Sequence, residues 1–433
     1  MTANPAAHLH TDSGPALNRI SDEIMIAYGA PGALSFVTLI QGRRPKFVCV
    51  IATTETSLIP GISAAGTTAA GTMLTPAADA EFIVHGRAHC MAGVPSNPLG
   101  PPGPALITRA TLELTGLTPL IVNAGCRVDP DAPTLDLHGR PGGLISEGDA
   151  VPNARDLYRA GERIGSHLAA DSITREGTSS HLAADSTYLV LGESVPGGTT
   201  TALALLLALG IESDGRVSSS IAGNAHALKS EVARSALAHL VPERVARDPL
   251  AAVEVLGDPM QPVVAGIVVG AWSIGIPVLL AGGTQMVAVL ALLHALARAG
   301  QAPSRTPSMK GAVCVGTTRW VTEDPTADVS GLMSDLGHDP LIATPLSFAQ
   351  SVHPQLRRYE DYLVKEGVGA GGLCVAAHLT ENLASAKIAA RVDTLYAEMA
   401  DGQRGPRALP TPLPNPPPRG GRGSAERGDD RAS

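Results

Sequence analysis

The chain has 433 residues, 44% hydrophobic and 17% charged, which is enough apolar material for a sizeable core and too little charge for a disordered chain. Its net charge of −8 gives no general reason for a nucleic-acid or anionic-lipid partner, and 3% aromatics leave little for stacking on single strands. The five cysteines, Cys49, Cys90, Cys126, Cys314 and Cys374, never form C-x-x-C, which excludes a zinc ribbon and a disulfide scaffold.

Residues 1–30 read as an N-terminal arm. They open on MTANPAAHLHTDSGPA, with no basic stretch followed by an apolar one. No secretory signal is read there, and a reducing cytoplasm is the expected compartment. Short apolar runs at 46–51, 120–123, 188–192, 276–281 and 312–316 read as buried strands. Helical stretches at 154–170, 199–209, 226–240 and 286–299 separate most of them. Strand and helix in alternation predict an α/β fold with a mostly parallel sheet, its ligand at the carboxyl ends of the strands. Residues 85–105 form a long Gly/Pro-rich loop, and loops of that length are often functional.

SHLAADS occurs at 166–172 and again at 180–186, and reads as a small tandem insertion without a function of its own. Residues 259–297 carry no Asp, Glu, Lys or Arg. Pro262, Pro277, Gly282, Gly283, Thr284 and Gln285 interrupt that run. It reads as helix 262–273, strand 275–280 and helix 286–299 rather than as a membrane span. Residues 401–433 hold seven Pro and six Gly, a composition that builds no packed core and predicts a disordered tail.

The strongest chemical signal is TYLVLGESVPGGTTTALALLLALG, residues 187–210. An apolar strand runs into a Gly-rich turn and then a helix, whose unpaired first-turn amides suit an anion. Thr199 is positioned to cap that helix, and Gly197 and Gly198 let a ligand approach the backbone. The turn resembles a P-loop with Gly198 in place of the lysine, so a monophosphate fits better than a hydrolysed triphosphate. EGVGAGG, residues 366–372, contains G-x-G-x-x-G but follows no strand, so it lacks the context of a dinucleotide site. Glu366 beside bare glycines has open access to a ligand. Burial raises its pKa and a helix start lowers it, which leaves an ionised base near neutrality. His85 and His89 stand i, i+4, but Gly86 argues against a helix through both, and no metal is read there. Asp129, Asp131, Asp136 and His138 read as a solvated acidic turn, and Lys229 lies on an amphipathic stretch.

IPGISAAG (59–66), TPAADAEFIVHG (75–86), IVNAGC (121–126), GESVPGGTTTALALLLALG (192–210), GDPM (257–260), GIPVLLAGG (275–283) and EGVGAG (366–371) together resemble the nicotinate-nucleotide:dimethylbenzimidazole phosphoribosyltransferase family, in its divergent CobT-like branch. The resemblance spans roughly residues 30–395. It implies a Rossmann-like α/β domain with a smaller domain from the chain ends, here residues 31–395, and a homodimer. The implied reaction transfers phosphoribosyl from nicotinate mononucleotide to a benzimidazole-type base in cobalamin lower-ligand assembly, without a metal or other cofactor. It also implies that Glu366 is the general base, and that Glu193, Gly197, Gly198, Thr199, Thr200, Lys229 and Gly367 bind the nucleotide and its phosphate. The base loop would fall at 93–104, with Ser96, Asn97 and Pro98 in the pocket, where the sequence departs strongly from the family. An ATP-dependent kinase or ligase, and a nucleotide or corrinoid-precursor binding protein, remain open as alternatives.

Overall fold

In a computed structural model that describes residues 18–66, 68–91, 100–174, 187–303, 312–337 and 339–400, the expected strands join one nine-stranded sheet. The strands are β1 (Asn18–Ser21), β2 (Ile24–Tyr28), β3 (Arg44–Ala52), β4 (Leu120–Gly125), β5 (Thr134–Asp136), β6 (Thr187–Ser194), β7 (Val278–Ala281), β8 (Val313–Thr318) and β9 (Leu341–Thr344). Their order is β1-β2-β9-β8-β7-β6-β3-β4-β5. The pairs from β9 through to β5 are parallel, and β1/β2 and β2/β9 are antiparallel. Thus residues 18–28, expected as part of an arm, are strands of the sheet itself. The second copy of the heptapeptide and the expected tail lie outside the described residues.

Every residue of β6 is buried, as expected for a central strand covered on both faces. Alternation along β3 sends Val48 and Val50 into one apolar cluster and Phe47, Cys49 and Ile51 into another. The second cluster draws on both chain ends, through Ile24, Phe36, Leu373 and Leu395. The chain ends therefore complete one face of the sheet, and no second sheet forms among the described residues.

The charge-free stretch folds as helix Met260–Trp272, strand β7 and helix Thr284–Arg298. Among the described residues, no helix is long and apolar enough to cross a membrane. Helix Met260–Trp272 instead lies hard against Ala154–Thr174. A Cβ on Gly161 would stand 2.2 Å from the Val263 carbonyl oxygen, and one on Gly266 would stand 2.1 Å from that of Tyr158. Backbones this close tolerate only glycine. Helix Ala69–His85 was not evident in the sequence, and Thr68 Oγ1 caps it by accepting from the Gly71 amide at 3.0 Å.

The connections leave β3 toward β4 and β5 on one side, and β6 toward β7, β8 and β9 on the other. The reversal falls between β3 and β6, and a crevice outside the carboxyl ends of the strands is expected at that point.

Candidate active site

A cavity of about 150 Å³ opens at that switch point. Its walls come from the segment after β3 (Ile62 to Gly66), the end of β6 and its turn (Glu193 to Thr199), Ser219 and Ser220, Gln285, and Glu366 to Val368. Two motifs separated by more than 160 residues of chain therefore share one cavity.

The turn differs from expectation in one respect. Helix Gly198–Ala208 starts after Gly197, which holds the N-cap position at φ 76° with no side-chain cap. Thr199 does not cap the helix. It lies inside the first turn, and its hydroxyl accepts from Lys229 Nζ at 3.0 Å. A Cβ on Gly197 would stand 2.9 Å from Ser57 Cα, so both conformation and space require glycine there. The helix start is fixed from below. Asp258 Oδ2 accepts from Thr201 Oγ1 at 2.5 Å and from Gln285 Nε2 at 2.7 Å. The Thr200 hydroxyl is buried and finds no partner among the described residues.

Lys229 is fully buried behind the turn and donates to Ser219 Oγ as well as to Thr199. Burial, with the charge of Lys365 second, lowers its pKa to about 7. An anion in the cavity would favour the ammonium form. Lys365 is held by Asp324 at 2.5 Å and by Asn224 Oδ1 at 2.8 Å. Asn224 also accepts from the Ser219 amide at 2.7 Å, and with Ala225 it has positive φ, at 59° and 50°. This strained corner fixes Ser219 and the start of the helix that carries Lys229.

Glu366 accepts from Thr317 Oγ1 at 3.0 Å and from the Gly367 and Gly371 amides at 3.1 Å each. Gly371 lies in the first turn of helix Ala370–Glu381. These donors pull the pKa down and burial pushes it up. Burial wins, and the group reaches about 7. The expected opposition is present, but it ends near neutrality rather than in a fully ionised base. Gly367 has φ 143°, and a Cβ there would stand 2.9 Å from Pro104 Cγ.

Glu193 is raised to about 8, by burial first and then by the negative charges of Asp258 and Glu366. A group kept neutral at pH 7 donates a hydrogen bond and does not repel a phosphate. Asp79, which the sequence did not single out, lines the same cavity and is raised to about 7 by burial. Ser219, Ser220, Gln285 and Thr317 were also missed. Each is an ordinary polar residue that only tertiary structure brings to the cavity or, for Thr317, to Glu366 behind its wall.

Glu193, Gly197, Gly198, Thr199, Glu366 and Gly367 thus line one cavity, with Thr200 and Lys229 directly behind it. Ser96, Asn97 and Pro98 lie outside the described residues. Helix Ala69–His85 ends at His85, so His89 falls beyond it. The His89 ring meets Asp131 Oδ2 at 2.8 Å. Among the described residues, no His, Cys, Asp and Glu group has a metal-binding arrangement. Residues 354–361 are short helical turns, so the glycines of 367–372 follow no strand.

A phosphoribosyltransferase family model matches residues 168–302, which include β6, the Gly-rich turn and Lys229. A UPF0284 protein of Synechocystis is 41% identical over 366 residues, covering 84% of this chain and 94% of that protein. A UPF0284 protein of Methanothermobacter thermautotrophicus is 40% identical, covering 81% of this chain and 92% of its own. Among solved structures, CobT from Thermus thermophilus shares the fold at a TM-score of 0.50 and 18% identity, over 81% of this chain and 89% of that one.

Proposed function

The chain belongs to the UPF0284 protein family, and from that premise we propose that it is a phosphoribosyltransferase that moves phosphoribosyl from nicotinate mononucleotide to a benzimidazole-type base. The phosphoribosyltransferase match over 168–302 supports the general reaction. The motif resemblance supports the donor. The observation that carries the reading is the shared cavity, with the start of a helix, suited to an anion, on one wall and a general-base candidate, Glu366, on another.

In this reading the nucleotide phosphate sits at the Gly197–Thr199 turn. The first-turn amides hold it, with Lys229 behind them. Glu193 donates to a ribose hydroxyl. Nicotinate is attached through a pyridinium nitrogen, so the C1′–N bond breaks with its electron pair staying on the ring, which leaves without charge on that nitrogen. A nitrogen of the incoming base forms the new C1′–N bond through an oxocarbenium-like state. That base then carries an acidic N–H, and Glu366 takes the proton.

A positioned general base is worth about 10²–10⁴-fold, or roughly 3–5 kcal/mol. Alignment of donor and acceptor is worth up to about 7–11 kcal/mol. The turn therefore matters at least as much as the proton transfer. The test is incubation with nicotinate mononucleotide and a panel of benzimidazoles, purines and phenols, with free nicotinate as readout. Base-dependent nicotinate release is expected. Its absence across the panel overturns the reading.

A further inference from the structure

The cavity holds an acid that the proposed reaction does not use. Asp79 stands on helix Ala69–His85 and is 4% exposed. Its Oδ2 accepts from Ser194 Oγ at 2.7 Å. Its Oδ1 is buried and has no partner among the described residues. Buried carboxylate oxygens are normally satisfied, and one left open on a cavity wall marks where a ligand donor belongs.

The position of Asp79 shows which end of a ligand it meets. Lys229, through its bond to Thr199, and the Gly-rich turn define the anion end. Asp79 meets the cavity at the end of β6, where Ser194 follows Glu193 and the Glu193 carbonyl accepts from the Val368 amide at 2.7 Å, which sets Asp79 beside the Glu366 segment. Besides burial, the charges of Glu366 and Asp79 both act on the Tyr359 phenol, whose hydroxyl donates to the Pro102 carbonyl at 2.8 Å beside the Gly103–Pro104 wall. A donor that rests its phosphate on the turn thus brings its reacting carbon toward Glu366, and the incoming base faces both acids. Glu366 accounts for one N–H of that base. Asp79 Oδ1 calls for another.

We propose that Asp79 is a specificity-determining residue that accepts a hydrogen bond from a second donor on the incoming base, so that the preferred acceptor is a fused heteroaromatic bearing an amino group rather than an alkyl group. The inference rests on the phosphoribosyl-transfer reading for its reaction, but its binding test does not. An amino group and a methyl group have nearly the same size, so a purely apolar pocket hardly separates them. A site with an unmatched buried acceptor does.

The test measures calorimetric affinity and nicotinate release for 4- and 5-aminobenzimidazole against 4- and 5-methylbenzimidazole. The protein should prefer one amino isomer over its methyl counterpart by about 10-fold or more. Asp79→Leu should erase the preference without changing affinity for nicotinate mononucleotide. Asp79→Asn, which keeps an acceptor oxygen, should restore part of it. Equal binding of amino and methyl bases by the unaltered protein overturns the proposal, whether or not the Leu variant folds. So does a preference that survives Asp79→Leu. Amino-selective binding without nicotinate release would instead retain Asp79 and remove the phosphoribosyl reading. Nicotinate release without selectivity would do the reverse.

Discussion

Glu366 shows how one residue balances opposing physical effects. Two backbone amides and the Thr317 hydroxyl stabilise its charge, yet burial leaves its pKa at about 7. A general base must be deprotonated to act and Glu193 must keep its proton to donate, so kcat/KM should rise with pH through about 7 and fall again above about 8. Glu366→Gln should lower kcat by about 10²-fold or more while leaving nicotinate mononucleotide affinity within a few-fold of the parent. Steady-state rates and calorimetry read the two quantities separately. Full turnover in the Gln variant would end the role assigned to this acid. The residue was legible in the sequence because glycines on its C-terminal side leave a carboxylate uncovered. Asp79 was not legible. It sits within an Ala-rich helix, and only the folded chain, which brings Ser194 from 115 positions away, sets it on the cavity wall.

At the scale of the element, the turn between β6 and helix Gly198–Ala208 concentrates the constraint. Gly197 combines a left-handed φ with contact against Ser57. Gly197→Ala should therefore displace the helix start and weaken nicotinate mononucleotide binding by about 10-fold or more, since strain at such a position costs on the order of 1–3 kcal/mol. Gly198→Asp places a negative charge at the anion site and should abolish binding. Unchanged affinity in both variants would remove the turn from the site. The sequence disclosed this element because strand, glycines and helix are contiguous. It also disclosed the inner strands β3, β4, β6, β7 and β8, each of which lies in an apolar run. It did not disclose β1, β2, β5 and β9, which have three to five residues each and so offer little periodicity to read. Helix Ala69–His85 was hidden for another reason. Burial runs without a break from Thr75 to Ile83, and Pro76 stands inside the helix, so neither an apolar stripe nor an uninterrupted helical composition marks it.

For the molecule as a whole, the cavity carries a stability cost whose pH dependence can be measured. Asp79, Glu193 and Glu366 have folded pKa values of about 7, 8 and 7, above the ordinary carboxylate range. Between about pH 4 and pH 8 the folded chain therefore holds more protons than the unfolded one, and stability falls as pH rises through that window. Lys229 acts in the opposite sense. Its folded value of about 7 lies below the ordinary 10.5, so above about pH 7 the unfolded chain holds the extra proton and stability recovers toward higher pH. The ligand-free protein should thus show a dip in stability near pH 8 from these groups. Glu193→Gln tests this directly, because Gln mimics the protonated acid. At about pH 5 Glu193 is already protonated, so the substitution should leave Tm nearly unchanged. At about pH 8 it relieves a buried charge beside Asp258 and should raise Tm by about 2 °C or more, while transfer activity falls. Scanning calorimetry at the two pH values decides it. An equal change at both, or a loss of Tm at the higher pH, would mean that the acidic wall costs the fold nothing, and the link between the cavity and stability would fail.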